Sequence, residues 1–263
     1  MSDIKITEYK VPVDEGELYV KKWNPTIVTS DVPIILLHDS LGCVGLWRGL
    51  PLMLAEKLSR TVIAYDRLGA GKSSVCESLP SIDFIEEEAS QIFPLVKKSL
   101  SIKSYITLGH SVGGAMAINI AANDADCIGV ISISAQAFVE PRTLKGIKNA
   151  KEAFKQKGQI ERLQKWHSDK ANWVLSSWTE TWLLPEFSSW SLKSCIGNVT
   201  CPVLAIHGDN DEYGSTAFPE FIVNNTVGDS TLLIVKDCGH MPHKEKTDDV
   251  VMAIHHFINN SVI

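Results

Sequence analysis

Gly109-His110-Ser111-Val112-Gly113-Gly114 stands between an apolar run, Tyr105-Ile106-Thr107-Leu108, and a stretch of small residues that extends to about Ala122. The first flank predicts a buried strand and the second predicts a helix. A sharp turn from strand to helix forces strained backbone angles on Ser111, and the glycines beside it let the two elements approach closely. The hydroxyl is then held at the top of a sheet, beside the free N–H groups that begin the helix. These features predict a nucleophile at Ser111.

Strand and helix patterns alternate on both sides of this turn. Residues 4–11 and 18–23, joined by Asp14-Glu15-Gly16, predict an antiparallel hairpin. Solid apolar runs predict buried strands at 34–37 and 61–65, and further strand patterns lie at 128–133, 203–206 and 232–235. Helical spacing predicts helices at 46–58, 84–100 and 248–258. This alternation predicts an α/β fold, with a parallel sheet that carries helices on both faces.

The alternation stops between residues 139 and 196. This segment has no strand-like apolar run, and it is polar and helix-forming. It holds five of the seven tryptophans of the chain, at Trp166, Trp173, Trp178, Trp182 and Trp190. We therefore predict one α/β core, formed by residues 1–138 and 197–263, with a helical insertion at 139–196.

Composition excludes several classes of function. The 263 residues carry a net charge of −6 and have an isoelectric point near 5.8, and no long basic cluster marks a nucleic-acid binder. No apolar run approaches the roughly 18 residues that span a bilayer, and the first residues lack the apolar core of a secretory signal. We expect a cytoplasmic protein, either a monomer or a homodimer.

The six cysteines are scattered, without a Cys-x-x-Cys pair or the spacing of zinc ligands. We expect reduced and mostly buried thiols, as in a cytosolic protein. Cys43 and Cys238 fall beside motifs described below, where we expect them to pack and not to react. No cofactor and no metal is predicted.

The sequence resembles the α/β-hydrolase family over essentially the whole chain, and the turn at Ser111 is the family's nucleophile elbow. His38-Asp39-Ser40-Leu41-Gly42 ends the third strand, where such enzymes usually carry His-Gly. Asp66-Arg67-Leu68-Gly69-Ala70-Gly71-Lys72-Ser73 resembles the turn that follows the family's fourth strand. The resemblance implies a mostly parallel, twisted, eight-stranded sheet with a small helical cap inserted between strands six and seven.

Gly71-Lys72-Ser73 also resembles the end of a phosphate-binding P-loop. That motif needs a glycine five residues before Gly71, where this chain has Asp66. We therefore interpret the turn as structural.

The order of catalytic residues in the family is serine, acid, histidine. The family acid usually lies three residues after the glycine that follows the seventh strand, here Gly208, which selects Asp211. Gly239-His240, followed by a proline and then Glu245, resembles the loop of the catalytic histidine and selects His240. The neighbouring alternatives are Asp209, Glu212 and His243.

The oxyanion hole that the resemblance implies consists of backbone N–H groups. One belongs to Val112, and the other belongs to Ser40, or to Leu41 because Asp39 stands where the family has glycine. We interpret His38 as a structural residue of this loop. Trp47, Trp178 and Trp182 are the predicted pocket residues.

These features together predict a serine hydrolase that forms an acyl-enzyme with Ser111, Asp211 and His240. A serine at the elbow excludes haloalkane dehalogenases and the related epoxide hydrolases, which use an aspartate there. The main hypothesis is a carboxylesterase for small or medium apolar esters, so the expected partner is a small ester-like molecule. The alternatives are a C–C bond hydrolase, an aminopeptidase or amidase of the same fold, and a non-catalytic receptor or scaffold.

Overall fold

Eight strands form one sheet in the computed structural model of the chain, which describes residues 3–262. Their order across the sheet is β1-β2-β4-β3-β5-β6-β7-β8. The β1–β2 and β2–β4 pairs are antiparallel, and all the other pairs are parallel. The strands are β1 Ile4–Val13, β2 Gly16–Pro25, β3 Ser30–Leu37, β4 Arg60–Tyr65, β5 Tyr105–His110, β6 Cys127–Ile133, β7 Val203–Gly208 and β8 Ser230–Val235. The predicted hairpin and parallel sheet are confirmed.

Helices cover both faces of the sheet. They are α1 Leu50–Leu58, α2 Phe84–Glu87, α3 Phe93–Ser99, α4 Val112–Asn123, α5 Pro141–Ala153, α6 Gln159–His167, α7 Ala171–Trp182, α8 Ala217–Asn225, α9 Pro242–Glu245 and α10 Thr247–Ser261. Apolar side chains of α1 and α10 pack in the core on one face, and those of α3, α4 and α8 pack in the core on the other face. All six residues of β5 are buried. This double cover explains why the strands read as continuous apolar runs.

One predicted helix is interrupted. The sequence predicts a single helix over 84–100, but α2 and α3 are separated by a π-helical turn at Glu88–Ile92. The wider turn brings Glu88 into the interior, where its carboxylate accepts a hydrogen bond from the Tyr65 hydroxyl. Single π turns inside helices occur frequently at functional sites.

The segment between β6 and β7 is helical, as predicted. It contains α5, α6 and α7 together with short 3-10 turns. Leu163, Ala171 and Val174 form a small apolar cluster of their own, while Trp182 joins the main core. The helices α5–α7 therefore form a small cap that is attached to the α/β core.

Candidate active site

Ser111 lies in a strained turn between β5 and α4. Its backbone has φ +56° and ψ −127°, a conformation that residues other than glycine adopt only when the surrounding structure imposes it. The Ser111 N–H donates to the Ile133 carbonyl at 2.9 Å, which fixes the turn to β6. A Cβ atom on Gly113 would lie 2.1 Å from the Leu37 carbonyl oxygen, so α4 can start this close to β3 only at a glycine.

Three side chains form a continuous chain of hydrogen bonds. Ser111 Oγ lies 2.9 Å from His240 Nε2, and His240 Nδ1 lies 2.8 Å from Asp211 Oδ2. Because the carboxylate only accepts, the Nδ1–H of His240 donates to Asp211, and Nε2 is left to accept the Ser111 hydroxyl proton. The loops after β5, β7 and β8 thus bring together the three residues selected from the sequence.

Asp211 is held by more than His240. Its Oδ1 accepts the backbone N–H of Tyr213 at 2.7 Å and that of Gly214 at 3.3 Å, and its Oδ2 lies 3.5 Å from His207 Nε2. Burial alone would raise the pKa of Asp211, but the hydrogen bond and charge of His240, with these further contacts, lower it overall. The carboxylate is therefore ionised and fixed in orientation. Neither sequence alternative to the acid, Asp209 or Glu212, hydrogen-bonds to His240.

Gln136 is a contact of Ser111 that sequence reasoning missed. Gln136 Nε2 lies 3.1 Å from Ser111 Oγ, and Gln136 Oε1 lies 3.3 Å from it. Since the serine proton is directed to His240, the Gln136 amide is the donor. Gln136 lies three residues past the end of β6. Ligands of α/β sheets bind beyond the carboxyl ends of the strands, so a polar residue at this position was the signal that could have indicated it.

Two backbone donors are available beside Ser111. The Val112 N–H opens α4 and so has no acceptor within the helix. Among residues 3–262 the Ser40 N–H has no acceptor, whereas the Leu41 N–H donates to Asp39 Oδ1 at 3.0 Å. This contact favours Ser40 over Leu41 as the donor partner of Val112.

Asp39 replaces the family's glycine with a small network. Its Oδ2 lies 3.2 Å from His110 Nδ1, and the His110 Nε2–H donates to the backbone carbonyl of His240 at 2.8 Å. Burial opposes ionisation of Asp39, but the hydrogen bond to His110 and the charge of the protonated ring lower the pKa of Asp39. Burial also lowers the pKa of His110, and Asp39 opposes that shift. The oxyanion loop and the histidine loop are therefore connected through one imidazole.

His38 has the structural role that was expected. Its Nδ1–H donates to the Asp39 carbonyl at 2.7 Å, and its Nε2 accepts the Arg67 N–H at 3.0 Å. Burial, with the positive charge of Arg67, lowers the pKa of His38 to about 3. The residue is therefore a neutral connector between the loops after β3 and β4.

The turn at Asp66 is structural as well. Its carboxylate accepts the N–H groups of Val44 at 2.5 Å and Lys72 at 2.7 Å, which closes the turn around the side chain. A Cβ atom on Gly71 would lie 2.1 Å from Asp66 Oδ2. The space that a phosphate would need in a P-loop is thus filled by the carboxylate.

A cavity of about 90 Å³ opens at Ser111. We call it the serine lobe. Its apolar walls come from Ile147, Trp178 and Trp182 of the cap. Trp47 does not line the serine lobe, contrary to the prediction. It is buried behind the site, with its ring 5.3 Å from that of His243. His243, the alternative base, is likewise buried and does not contact Ser111.

A second cavity of about 260 Å³ adjoins the first, and we call it the arginine lobe. Ser40, Trp178 and Trp182 line both lobes. The arginine lobe is lined further by Arg67 and by the acidic residues Asp14, Glu15, Glu87 and Glu88. Two other arginines, Arg48 and Arg142, lie near the site motifs in the sequence but do not line this lobe. Arg48 is exposed and lies over the Trp166 ring at 4.3 Å, and Arg142 donates to the Asp211 carbonyl at 3.2 Å.

The cap is attached to the site loops through His167. The Gly71 N–H donates to His167 Nδ1 at 2.9 Å, and the His167 Nε2–H donates to the Leu41 carbonyl at 3.0 Å. The His167 side chain is fully buried. Burial lowers the pKa of His167, in keeping with a neutral ring that accepts at one nitrogen and donates at the other.

The cysteines are all free thiols. Burial raises the pKa of Cys43 to about 12 and that of Cys238 to about 11, so neither is a reactive thiolate.

Within residues 3–262, no three His, Cys, Asp or Glu side chains lie close enough together to hold a metal ion. None of the helices in that range combines the length and the apolar character that crossing a bilayer requires.

The fold and the site define a class of protein, the α/β hydrolases. The family model described as alpha/beta hydrolase fold matches residues 32–247, and the chain belongs to that family. A proline iminopeptidase of Lactobacillus crispatus is 23% identical over 97% of this chain and 99% of its own length. The serine hydrolase BPHL of Mus musculus is 25% identical over 96% of this chain and 87% of its own length.

A solved structure shares the fold. The proline iminopeptidase of Mycobacterium smegmatis superposes with a TM-score of 0.71 at 19% identity, covering 97% of this chain and 98% of the other. The protein is therefore a hydrolase of this family, and its bond and substrate have to be inferred from its own site.

Proposed function

We propose that the protein is a serine hydrolase that cleaves carboxylic esters through an acyl-enzyme. The observation that carries the proposal is the unbroken hydrogen-bond chain from Ser111 through His240 to Asp211, with distances of 2.9 and 2.8 Å. Such a chain supplies a nucleophile, a base and the acid that orients the base.

In the proposed reaction His240 Nε2 takes the Ser111 proton as Oγ attacks the ester carbonyl carbon. The N–H groups of Ser40 and Val112 donate to the oxyanion that develops, and Asp211 stabilises the imidazolium. His240 then returns the proton to the leaving alkoxide, and the acyl group stays on Ser111. A water molecule gives a proton to His240 and attacks the acyl carbon of this acyl-enzyme. The bond from the acyl carbon to Ser111 Oγ then breaks, His240 returns the proton to Oγ, and the acid is released.

The walls of the site support an apolar group at the reacting end of the substrate. The serine lobe holds about 90 Å³, and its walls include Ile147, Trp178 and Trp182. Apolar and aromatic walls with a few polar groups are typical of small-molecule sites. We assign residues 139–196 to a cap that covers this lobe, and residues 1–138 and 197–263 to the core that holds the reacting groups.

Labelling with a fluorophosphonate probe tests the nucleophile. The wild type should react at Ser111 and the Ser111→Ala variant should not. Ser188→Ala, a variant at an exposed cap serine, is the matched control and should label like the wild type. A folded wild type that takes no label would overturn the proposal and leave the non-catalytic alternative.

Hydrolysis of an amide bond is the second candidate, because the chain aligns with a proline iminopeptidase over nearly its whole length. A panel of aryl esters of increasing acyl length, a diketone and a prolyl anilide separates the possibilities. Esterase function predicts that the best ester exceeds the anilide and the diketone in kcat/KM. A higher kcat/KM for the anilide would make the protein a peptidase, and one for the diketone would make it a C–C hydrolase.

A further inference from the structure

The arginine lobe extends the site beyond the reacting carbonyl. Ser40, Trp178 and Trp182 line both this lobe and the serine lobe, so the two cavities are adjacent. A substrate whose carbonyl lies at Ser111 can therefore place its remote end near Arg67. This step rests on the proposed function, since it takes Ser111 as the reacting group.

Arg67 is built into the wall of the lobe. Its backbone N–H donates to His38 Nε2 at 3.0 Å, and its Nη2 donates to the Asp39 carbonyl at 3.0 Å. These bonds fix the residue at the end of β4 and leave most of the guanidinium donors unused. Its Nε is buried without an acceptor. Within residues 3–262 Arg67 forms no direct ion pair with a carboxylate, but it is not electrostatically isolated: burial lowers the pKa of Arg67, and the charge of Glu88 opposes that shift. A buried, unpaired donor is costly and calls for an acceptor.

The acidic residues of the lobe do not provide that acceptor. Glu88 is buried and its carboxylate already accepts the Tyr65 hydroxyl at 2.5 Å; burial raises its pKa, and the charge of Arg67 offsets only part of that shift. Asp14 and Glu15 are exposed at the mouth, where water screens them. Glu87 is half-buried. Among the residues of 3–262 that line the lobe, Arg67 is thus the one arginine or lysine, and its guanidinium keeps donors to spare.

We propose that the arginine lobe binds a carboxylate of the substrate, so that the substrate class is a carboxylic ester with a second, free carboxylate. A guanidinium matches a carboxylate with two parallel N–H···O bonds, which gives orientation as well as affinity. The neutral reacting end would lie in the apolar serine lobe, and the charged end at Arg67. This proposal replaces the expectation of a wholly apolar ester.

Matched substrates test the proposal. Mono-aryl esters of glutaric and adipic acid are compared with the same esters in which the free carboxyl is a carboxamide, and with esters that carry an ammonium group there. We expect the wild type to favour the carboxylate over the carboxamide by about ten- to a hundredfold in kcat/KM, as for a hydrogen bond to a charged group. Equal rates, or a preference for the ammonium esters, would overturn the proposal.

Variants assign the preference to a residue. Arg67→Met should reduce the carboxylate-to-carboxamide ratio to near one, and Arg67→Lys should retain part of it. Arg48→Met, which removes an exposed arginine outside both lobes, is the matched control and should keep the wild-type ratio. An unchanged ratio in Arg67→Met would refute the role of Arg67.

Two further measurements keep the outcomes separate. Fluorophosphonate labelling of each variant shows whether Ser111 is still reactive, so a failure of folding is not mistaken for a loss of preference. In the unmodified protein, 3-carboxyphenylboronic acid should inhibit more strongly than 3-carbamoylphenylboronic acid. A protein that labels and cleaves esters but prefers neither boronic acid would retain the proposed function and lose this inference.

Discussion

Replacing Asp39 with alanine tests whether the departure from the family's glycine supports the site. The change removes the acceptor of the Leu41 N–H at 3.0 Å and the partner of His110 Nδ1 at 3.2 Å. Hydrogen bonds to charged groups contribute about 1.5–3 kcal/mol each. Because 21% of the Asp39 side chain is exposed, water compensates part of the loss, and we expect about 2–3 kcal/mol for both bonds together.

For a domain of this size, that loss corresponds to a decrease in Tm of about 4–12 °C. Ser40 follows Asp39 directly, so its N–H should lose its position, and a lost oxyanion donor costs up to about 10²–10³ in kcat. We expect kcat to fall about tenfold or more, with a smaller change in KM. Thermal unfolding and turnover of an aryl butyrate measure the two effects.

The conservative variant sharpens this test. Asp39→Asn keeps an oxygen for the Leu41 N–H but loses the negative charge beside His110. It should therefore restore most of kcat while its Tm stays below that of the wild type. An alanine variant with wild-type Tm and wild-type kcat would refute the reasoning, because the network would then contribute nothing to the site.

Two more variants probe the elbow and the acid. Gly113→Ala puts a Cβ atom 2.1 Å from the Leu37 carbonyl oxygen, so it should lower Tm and abolish fluorophosphonate labelling. Gly197→Ala is the control: its added Cβ would have no other atom within 4 Å, and it should leave Tm and labelling unchanged. Asp211→Asn should lower kcat by about 10⁴-fold, because His240 loses the acceptor that fixes its tautomer. Since the folded-state pKa of Asp211 is lowered, its stabilisation is present above about pH 4 and is lost as the pH falls further. Urea unfolding at several pH values should show the advantage of the wild type over Asp211→Asn decline in that direction.

Patterns that lie within a few consecutive residues were predicted well. The apolar runs of β3 to β7 are continuous because both faces of the sheet are covered there, whereas β8 at the edge is largely exposed. The elbow at Ser111 needs only its own glycines. The selection of Asp211 and His240 followed from the family's order of motifs. The structure brings both within hydrogen-bonding distance of their partners.

Contacts between distant segments could not be predicted in the same way. The burial of His167 depends on two loops that lie 96 and 126 residues away in the chain. The π turn at Glu88–Ile92 leaves the helical pattern of the sequence intact, so periodicity shows only one helix. Trp47 stands next to the oxyanion loop in sequence, yet a short 3-10 turn at Val44–Trp47 directs it behind the site. Proximity in sequence was a poor guide to the pocket.

Arg67 shows why a structural motif can also take part in binding. Its backbone closes the turn after β4 and explains the motif, so the sequence gives no reason to assign the side chain a further role. The same side chain holds the Asp39 carbonyl through Nη2 and borders the arginine lobe. A carboxylate bound at Arg67 would therefore act on the segment that carries the Ser40 N–H. Substrates without the carboxylate should then lose kcat as well as affinity, because remote binding energy would be used to position the oxyanion donor.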